Sequence, residues 1–218
     1  MITVLIVDDH ELVRAGIRSL LSGVNGIKVI GEASSGEEAV KIAREKHPNV
    51  VLMDVRMPGI GGLEATRKLL RADPDIKVIA LTVCDEEPFP SKLLQAGAAG
   101  YLTKGSALEE MVQAIHSVHH GKRYLSPEVA QQLALKHLSD EKASPFESLS
   151  ERELQVMLMI TSGQKVQEIS DKLCLSPKTV NSYRYRLFDK LNVHSDVELT
   201  HLAIRHGILD TETSSVGG

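Results

Sequence analysis

The sequence predicts a doubly wound, parallel α/β domain of five strands, followed by a small all-α domain. Up to about residue 120, five short runs rich in β-branched residues alternate with longer amphipathic segments. Because the short runs lack polar alternation, they are typical of strands buried on both faces, as in a parallel sheet covered by helices. From about residue 149 to residue 209 no strand-like run occurs and helix start signals recur, which indicates a separate helical unit.

The strands and helices of the first domain are predicted from these runs in chain order. The strand candidates are residues 4–7, 28–30, 50–53, 77–81 and 100–102. The segments between them place apolar residues at helical spacing. Examples are Leu12, Ile17, Leu20 and Leu21 in the first segment and Ala39, Val40, Ile42 and Ala43 in the second.

The alternation stops after Gly121, and the next segment is predicted to be a linker with a partial helix. It contains Pro127, a helical patch at residues 130–138 and a polar run at residues 139–144.

The second domain is predicted to have four short helices. Ser150 with Glu153 forms a capping box, Ser176 precedes a first-turn proline, and Ser195 precedes the last apolar-periodic segment. The expected boundaries are 1–122 for the α/β domain, 123–147 for the linker, 148–211 for the helical domain and 212–218 for a flexible tail.

Composition places the chain among ordinary globular proteins, with 42% apolar and 25% charged residues. No apolar segment approaches the roughly 18 residues that cross a bilayer, so a cytoplasmic protein without a membrane partner is expected. Cys84 and Cys174 are far apart and lack metal-ligand spacing, so neither a disulfide nor a zinc site is expected.

A small basic island lies in an otherwise acidic chain of net charge -4. Residues 178–191 contain a single acidic residue, Asp189, and four basic residues, which are Lys178, Arg184, Arg186 and Lys190. Screening limits the influence of distant acidic residues, so the island is compatible with phosphate contacts, although a solvated helix face is the simpler alternative.

Charged and polar residues follow four of the five predicted strands. Asp8 and Asp9 follow the first strand, Asp54 the third, Thr82 the fourth and Lys104 the fifth. In open α/β sheets the carboxyl ends of the strands meet at one edge, where ligands bind, so these side chains are expected to converge. Taken singly, such an Asp is often a turn cap and such a Lys is often solvated. Jointly, the set is hard to obtain by chance.

Three carboxylates at one edge require a compensating cation, and a hard divalent ion such as Mg²⁺ fits. A carboxylate at the end of the central strand then suits attack on phosphorus to form an aspartyl phosphate, and Asp54 is the predicted nucleophile. Lys104 and Thr82 would neutralise and hydrogen-bond phosphoryl oxygens, beside a tight Pro/Gly loop at residues 58–62. His10, which opens the first helix, is the weaker alternative as phosphoacceptor or ligand.

These residues resemble the receiver domain of bacterial two-component response regulators. The resemblance rests on Asp8-Asp9, on Asp54 before "VRMPGIGG", on Thr82, and on "GYLTKG" around Lys104. It implies Mg²⁺-dependent transfer of a phosphoryl group from a sensor histidine kinase to Asp54, within a protein that is not otherwise an enzyme. The implied metal ligands are Asp9, Asp8 through a water molecule, Asp54 and the backbone carbonyl of Arg56. Tyr101 is implied to be a switch residue that follows Thr82.

In the second domain, "EISDKLCLSPKTVNSYRYRLFDKL" predicts a short helix and a longer one across a brief turn, the layout of a helix-turn-helix. Turning the longer helix by ~100° per residue gives a core stripe of Val180, Tyr183, Leu187 and Leu191. The residues predicted to contact DNA are Lys178, Thr179, Asn181, Ser182, Tyr185 and Arg186. Arg184 lies nearer the core stripe and is not assigned to DNA.

The segment from "SLSEREL" to "NVHSDVELTHLA" is similar to the C-terminal domain of the NarL/FixJ, or LuxR-type, regulators. Finer strings such as "QAGAAGYLTKG" and "KLCLSPKTVNSYRYR" resemble the GacA/UvrY/SirA group, which implies activation of small regulatory RNA genes. Pro88 and Pro90 lie where many receivers begin their fourth helix, so the start of that helix is left open. The operator sequence is also left open.

The last helical segment, residues 196–206, carries apolar residues beyond one stripe. Leu199, Leu202 and Ala203 form one side, and Val197, Thr200, His201 and Ile204 form a second surface. The resemblance favours a homodimer through this second surface, whereas the alternative is a closing helix packed only within its own domain. A two-fold pair of such domains would bind an inverted repeat of double-stranded DNA.

The residues, taken without the resemblance, are also compatible with two other classes of function. Phosphatases similar to the haloacid dehalogenases also form an aspartyl phosphate, but they carry an Asp-x-Asp motif on the first strand. A protein-only interaction module would lack salt-dependent retention on generic DNA. The leading hypothesis is a DNA-binding transcription regulator that is switched by phosphorylation.

Overall fold

The computed structural model describes residues 1–57, 59–82, 89–138, 144–206 and 208–209. The chain divides into two compact units, Met1–Ala143 and Ser144–Gly218. Pro88, Cys84 and the predicted tail at residues 212–218 lie outside the described residues.

The first unit contains a parallel sheet with the strand order β2-β1-β3-β4-β5-β6. Its strands are β1 (Ile2–Val7), β2 (Ile27–Ala33), β3 (Val50–Asp54), β4 (Lys77–Thr82), β5 (Gly100–Thr103) and β6 (Tyr124–Leu125). Its helices are α1 (Glu11–Ser22), α2 (Gly36–Lys46), α3 (Gly61–Ala72), α4 (Phe89–Gln95), α5 (Leu108–His119) and α6 (Pro127–Leu138). The predicted doubly wound α/β class is therefore confirmed.

Within the described part of the chain the sheet has six strands, so the predicted count of five is wrong. The sixth strand lies within the segment predicted as a linker, and it pairs Tyr124 with Gly100 and Leu125 with Tyr101. The Ser126 N–H extends the pairing by donating to the Tyr101 carbonyl at 3.1 Å. Two residues are too few to show a strand pattern in the sequence, so only the pairing with β5 reveals this strand.

Each face of the sheet is covered by a different pair of helices. One core contains Val4 and Ile6 of β1 with residues of α1 and α5, and the other contains Leu5 and Val7 with residues of α2 and α3. Successive side chains of a strand point to opposite faces, so a strand that is apolar throughout fills both cores. This arrangement leaves the carboxyl edge of the sheet as the place for polar groups.

The second unit is helical and contains the four predicted helices. These are α7 (Glu151–Thr161), α8 (Val166–Leu173), α9 (Pro177–Leu191) and α10 (Asp196–Arg205), and a short 3₁₀ helix (Pro145–Ser148) precedes them. The predicted start signals are present, since the hydroxyls of Ser150, Ser176 and Ser195 each accept a hydrogen bond from an N–H in the first turn. Among the described residues, no helix combines the length and apolarity that a bilayer crossing requires.

Candidate functional sites

The predicted carboxylates meet at the carboxyl edge of the sheet. Asp54 closes β3, and Asp8 directly follows β1, the neighbouring strand. Possible ligand atoms of Asp8, Asp9, His10 and Asp54 all lie within 4.8 Å of one another. Asp8 and Asp54 are buried, so their charges stand in an environment that water screens poorly.

Lys104 supplies positive charge to this cluster. Its Nζ donates to Asp54 Oδ2 at 2.9 Å and lies 2.7 Å from Asp8 Oδ2, so it is shared between two carboxylates. Burial lowers the pKa of Lys104, but the charges of Asp54 and Asp8 outweigh this effect and raise the pKa above its ordinary value. Lys104 is therefore a fixed ammonium ion at neutral pH.

Asp54 has an unusual acidity. Burial raises the pKa of its carboxyl from 3.8 to about 6, and repulsion from Asp8 adds to the effect, whereas Lys104 and the Arg56 N–H oppose it. Loss of hydration on burial therefore destabilises the ionised form of Asp54 relative to the protonated form. A pKa displaced in this way is a feature of functional sites.

The loop after β3 holds Asp54 in position through its backbone. Asp54 Oδ1 accepts a hydrogen bond from the Arg56 N–H at 3.1 Å. A Cβ at residue 62 would overlap the backbone oxygen of Asp54 and would lie 2.8 Å from Val55 Cα, so glycine is required there. Glu37 of α2 accepts from the Ile60 N–H at 3.2 Å, a support that the sequence reasoning missed.

Thr82 lies on β4, the strand beside β3, and Tyr101 lies on β5, the next strand along the sheet. Thr82 is buried at the end of β4, where its carbonyl accepts from the Lys104 N–H at 2.7 Å. Tyr101 is fully buried on β5 and pairs with Ala80. The ends of β4 and β5 are thereby joined next to the carboxylates.

The acidic cluster fits a hard cation. Asp8 Oδ2 and Asp9 Oδ1 are buried oxygens, and the nitrogens within ion-pair distance of them are Lys104 Nζ and His10 Nδ1, respectively. Carboxylate oxygens with free lone pairs are the ligands that Mg²⁺ prefers. His10 places Nδ1 3.0 Å from Asp9 Oδ1 and 3.2 Å from Asp8 Oδ1, while its side chain is 67% exposed.

Arg14 is a second supporting residue that the sequence reasoning missed. Its Nη1 donates to the Asp8 carbonyl at 2.7 Å, and its Nε lies 3.5 Å from Glu32 Oε2. The only sequence signal was a basic residue on the first turns of α1, which is also compatible with a solvated helix face. Arg14 ties the end of β1 to β2.

In the second unit, α9 presents the polar face that the sequence predicts. Val180, Leu187 and Leu191 are buried, whereas Lys178, Ser182, Tyr185 and Arg186 are exposed and Thr179 and Asn181 are half-buried. The Thr179 hydroxyl lies 2.8 Å from Ser176 Oγ, so it takes part in the helix cap as well.

Tyr183, which was predicted to belong to the core stripe, also borders this polar face. It is half-buried, and the guanidinium of Arg186 lies 5.8 Å from the centre of its ring. Together with Lys178, Thr179 and Ser182, these two residues line a polar surface cavity of about 270 Å³. Periodicity alone could not assign Tyr183 to this surface, because the residue lies on the border between stripe and face.

Arg184 is directed away from the polar face, in agreement with its exclusion from the DNA contacts. Its Nε and Nη2 each donate to the Asp196 carboxylate at 2.7 Å, a bidentate pair that joins α9 to the start of α10. Its guanidinium also lies 5.3 Å from the centre of the Phe188 ring.

The predicted second surface of α10 is only partly open. Val197 is 64% exposed and His201 is exposed, whereas Thr200 and Ile204 are half-buried. The Thr200 hydroxyl donates to the Asp196 carbonyl at 2.8 Å.

A doubly wound domain with a carboxylate–lysine rim, joined to a helix-turn-helix unit, defines a signal-receiving regulator that binds DNA. Comparison with known families agrees with this class. The family described as "Response regulator receiver domain" matches residues 4–116, and the luxR family of bacterial regulatory proteins matches residues 147–203. The chain belongs to the two-component response regulators with a LuxR-family DNA-binding domain. It is a DNA-binding regulator of transcription and not an enzyme.

Individual relatives cover the whole length of the chain. "Response regulator UvrY" of Escherichia coli is 66% identical over 216 residues, which are 99% of each chain. "Response regulator GacA" of Pseudomonas aeruginosa is 65% identical over 211 residues, which are 96% of this chain and 99% of the relative.

Solved structures are similar as well. RcsB of Salmonella enterica serovar Typhimurium, bound to promoter rprA in the presence of phosphomimetic BeF3-, has a TM-score of 0.72 and 25% identity over 93% of this chain and 98% of its own. A LuxR-family regulator from Aurantimonas has a TM-score of 0.61 and 39% identity over 63% of this chain and 98% of its own.

Proposed function

We propose that Asp54 accepts a phosphoryl group from a sensor histidine kinase and that this modification switches DNA binding. The observation that carries the proposal is the position of Asp54, a buried carboxylate at the end of the central strand with Lys104 Nζ 2.9 Å away. An Asp carboxylate is a known nucleophile towards phosphorus. Its raised pKa is still below 7, so most of the carboxyl groups are ionised and nucleophilic at neutral pH.

The residues proposed to hold Mg²⁺ are Asp9, Asp54, the Arg56 carbonyl and, through a water molecule, Asp8. The close grouping of the carboxylate oxygens, within 4.8 Å of one another, supports this assignment. When bound, Mg²⁺ would neutralise negative charge on the carboxylates and on the phosphoryl oxygens. The chain itself contributes the second cation, because Lys104 stands on the Oδ2 side of Asp54.

Thr82, Lys104 and Tyr101 are proposed to convert the chemical change into a change of shape. A phosphoryl group on Asp54 would attract the Lys104 ammonium and the Thr82 hydroxyl. Thr82 ends β4 and Lys104 follows β5, and these two strands are neighbours in the sheet. Moving a two-state element from mostly off to mostly on takes ~5.5 kcal/mol of differential stabilisation. A few charge-assisted hydrogen bonds supply free energy of this order.

The polar face of α9 is proposed to read double-stranded DNA. Lys178 and Arg186 would contact phosphates, since they are exposed cations that line one cavity of the helix surface. Asn181, Ser182 and Tyr185 would approach base edges, and Thr179 would contact the backbone near the helix start.

A homodimer is proposed for the active protein, with α10 at its interface. The exposed Val197 and His201, with the half-buried Thr200 and Ile204, supply the second surface that the sequence predicts. A two-fold pair would present two α9 helices to an inverted repeat. The similarity to GacA and UvrY supports small regulatory RNA genes as targets and a cytoplasmic location.

The domain boundaries are proposed as 1–122, a linker at 123–147, 148–211 and a tail at 212–218. The division of the chain into the units Met1–Ala143 and Ser144–Gly218 supports a domain boundary within this linker.

The proposed phosphoacceptor is tested by incubating the full chain with acetyl phosphate and Mg²⁺ and measuring its mass. One phosphoryl group should be added to the wild type and none to Asp54→Asn. Asp75→Asn, which removes an exposed carboxylate of the same unit, is the matched control and should be modified as the wild type is. A phosphoryl group on the Asp54→Asn variant would refute the assignment.

A further inference from the structure

Three histidines lie at the end of α5, far from the acidic cluster. His116 and His119 are in the last turn of the helix, and His120 is its C-cap residue. The chain then resumes in β6, where Tyr124 pairs with Gly100 at the start of β5. The histidines therefore lie towards the amino edge of the sheet. The helix α5 begins near the carboxyl edge, and its twelve residues span about 18 Å.

His116 and His120 occupy one face of this helix. The His120 N–H donates to the His116 carbonyl at 3.2 Å, so the helical i to i+4 spacing is kept at the C-cap. Residues with this spacing lie one above the other, and their side chains tilt towards the preceding turn. Two imidazoles at i and i+4 form the bidentate arrangement that helices use to bind transition metals.

A second hydrogen bond fixes which nitrogen of His120 is available. Nδ1 of His120 lies 2.7 Å from the carbonyl oxygen of His116. A carbonyl oxygen only accepts, so Nδ1 carries the proton and, in the neutral ring, Nε2 keeps its lone pair. Metal-binding histidines are oriented in this way, with the second nitrogen donating to a carbonyl.

His119 is the neighbour of this pair, and its ring contacts that of His120 edge-to-face. It follows His116 by three residues and precedes His120 by one, and its ring stands nearly perpendicular to that of His120, at 82° with centroids 5.6 Å apart. Although the two rings meet at their edges, adjacent helical residues are separated by ~100° around the axis, so His119 lies outside the face that His116 and His120 share. His119 therefore serves as an internal comparison for the pair.

We propose that His116 and His120 form a binding site for a divalent transition-metal ion of the Zn²⁺, Ni²⁺ or Cu²⁺ class, with water completing the coordination. Imidazole selects these ions over Mg²⁺ and Ca²⁺, which prefer oxygen ligands. The partial negative charge at the end of a helix also favours a cation there. The site is chemically distinct from the acidic cluster and does not depend on the proposed phosphorylation.

The test is calorimetric titration of the full chain with Ni²⁺ in excess Mg²⁺, so that the acidic cluster is occupied by the hard ion. The wild type should bind one equivalent of Ni²⁺ that Mg²⁺ does not displace. Loss of a group that only orients a metal ligand weakens metal binding by about 10–100-fold. His116→Gln and His120→Gln each remove a ligand, so each should weaken Ni²⁺ binding by at least this factor. His119→Gln should bind as the wild type does. An equal loss in His119→Gln, or no loss in His116→Gln, would overturn the proposal.

A measurement on the wild type alone covers the case of a variant that folds poorly. Diethyl pyrocarbonate modifies accessible imidazoles, and mass spectrometry maps the modified residues. Ni²⁺ should protect His116 and His120 and leave His119 reactive. Protection of all three residues, or of none, contradicts a two-histidine site.

Discussion

Replacing Asp54 with asparagine should stabilise the first unit at neutral pH, although it removes the proposed phosphoacceptor. Burial raises the pKa of Asp54 from 3.8 to about 6. The folded protein therefore binds more protons than the unfolded chain between these two values. The sign follows directly: the free energy of unfolding of the wild type falls as the pH rises through this window, and the loss is complete above the folded-state pKa.

The gap between 3.8 and about 6 corresponds to about 3 kcal/mol at pH 7. Asparagine has nearly the same shape and does not ionise, so the variant is free of this penalty. Lys104 keeps a carboxylate partner in the variant, since its Nζ also lies 2.7 Å from Asp8 Oδ2. The gain in unfolding free energy on going from wild type to Asp54→Asn should be smallest near about pH 4 and should grow by about 3 kcal/mol by about pH 7.

The assay is urea unfolding of the full chain, followed by circular dichroism, across this pH range in the presence of EDTA. A separate wild-type run with Mg²⁺ in place of EDTA identifies the transition of the unit that carries Asp54, since Mg²⁺ bound at the proposed site would shift that transition. Asp75→Asn removes an exposed carboxylate of the same unit and is the control for loss of one charge outside the buried site; its difference from the wild type should be smaller than that of Asp54→Asn at pH 7. A difference for Asp54→Asn that stays constant or shrinks as the pH rises would refute the argument that desolvation dominates.

Three further outcomes are expected. Gly62→Ala should lower the free energy of unfolding by about 1–3 kcal/mol or more, because its Cβ would overlap backbone atoms, whereas Gly16→Ala, whose Cβ would meet open space, should not; urea denaturation compares the two. Thr82→Ala should be phosphorylated yet gain less DNA affinity than the wild type in fluorescence anisotropy, and an equal gain would exclude the hydroxyl as the relay. Lys178→Ala should weaken binding to all DNA sequences and lower the salt slope by ~1, whereas Asn181→Ala should cost ~1–3 kcal/mol on the preferred site alone; equal losses on specific and random DNA would show that Asn181 does not read bases.

The residues at the carboxyl edge of the sheet could be predicted because the sheet topology alone determines their position. Parallel strands all end at one edge, so a residue that follows a buried run has a known position without any tertiary information. Asp8, Asp54, Thr82 and Lys104 were placed in this way, and the structure brings the two carboxylates and Lys104 within hydrogen-bonding or ion-pair distance.

The supporting residues could not be predicted, because their partners are distant in sequence. Glu37 reaches the Ile60 N–H across 23 residues, and a surface glutamate on α2 looks like any solvated residue until that loop is in place. Strand β6 was not predicted for a related reason: a segment of two residues is recognised as a strand only by its pairing with β5. Local patterns carry information about burial and periodicity, but not about which distant groups meet.

The sharing of Lys104 suggests how a change at Asp54 could reach the rest of the receiver under the proposed phosphorylation. Its ammonium divides between Asp54 at 2.9 Å and Asp8 at 2.7 Å, so added negative charge on Asp54 shifts that balance. The backbone N–H of Lys104 donates to the Thr82 carbonyl at 2.7 Å, so a shift of the Lys104 backbone would also move the end of β4. Under the proposed phosphorylation, one shared ammonium ion would thus couple the charge state of Asp54 at the end of β3 to the geometry of β4 and β5, as a two-state element biased by a single site requires.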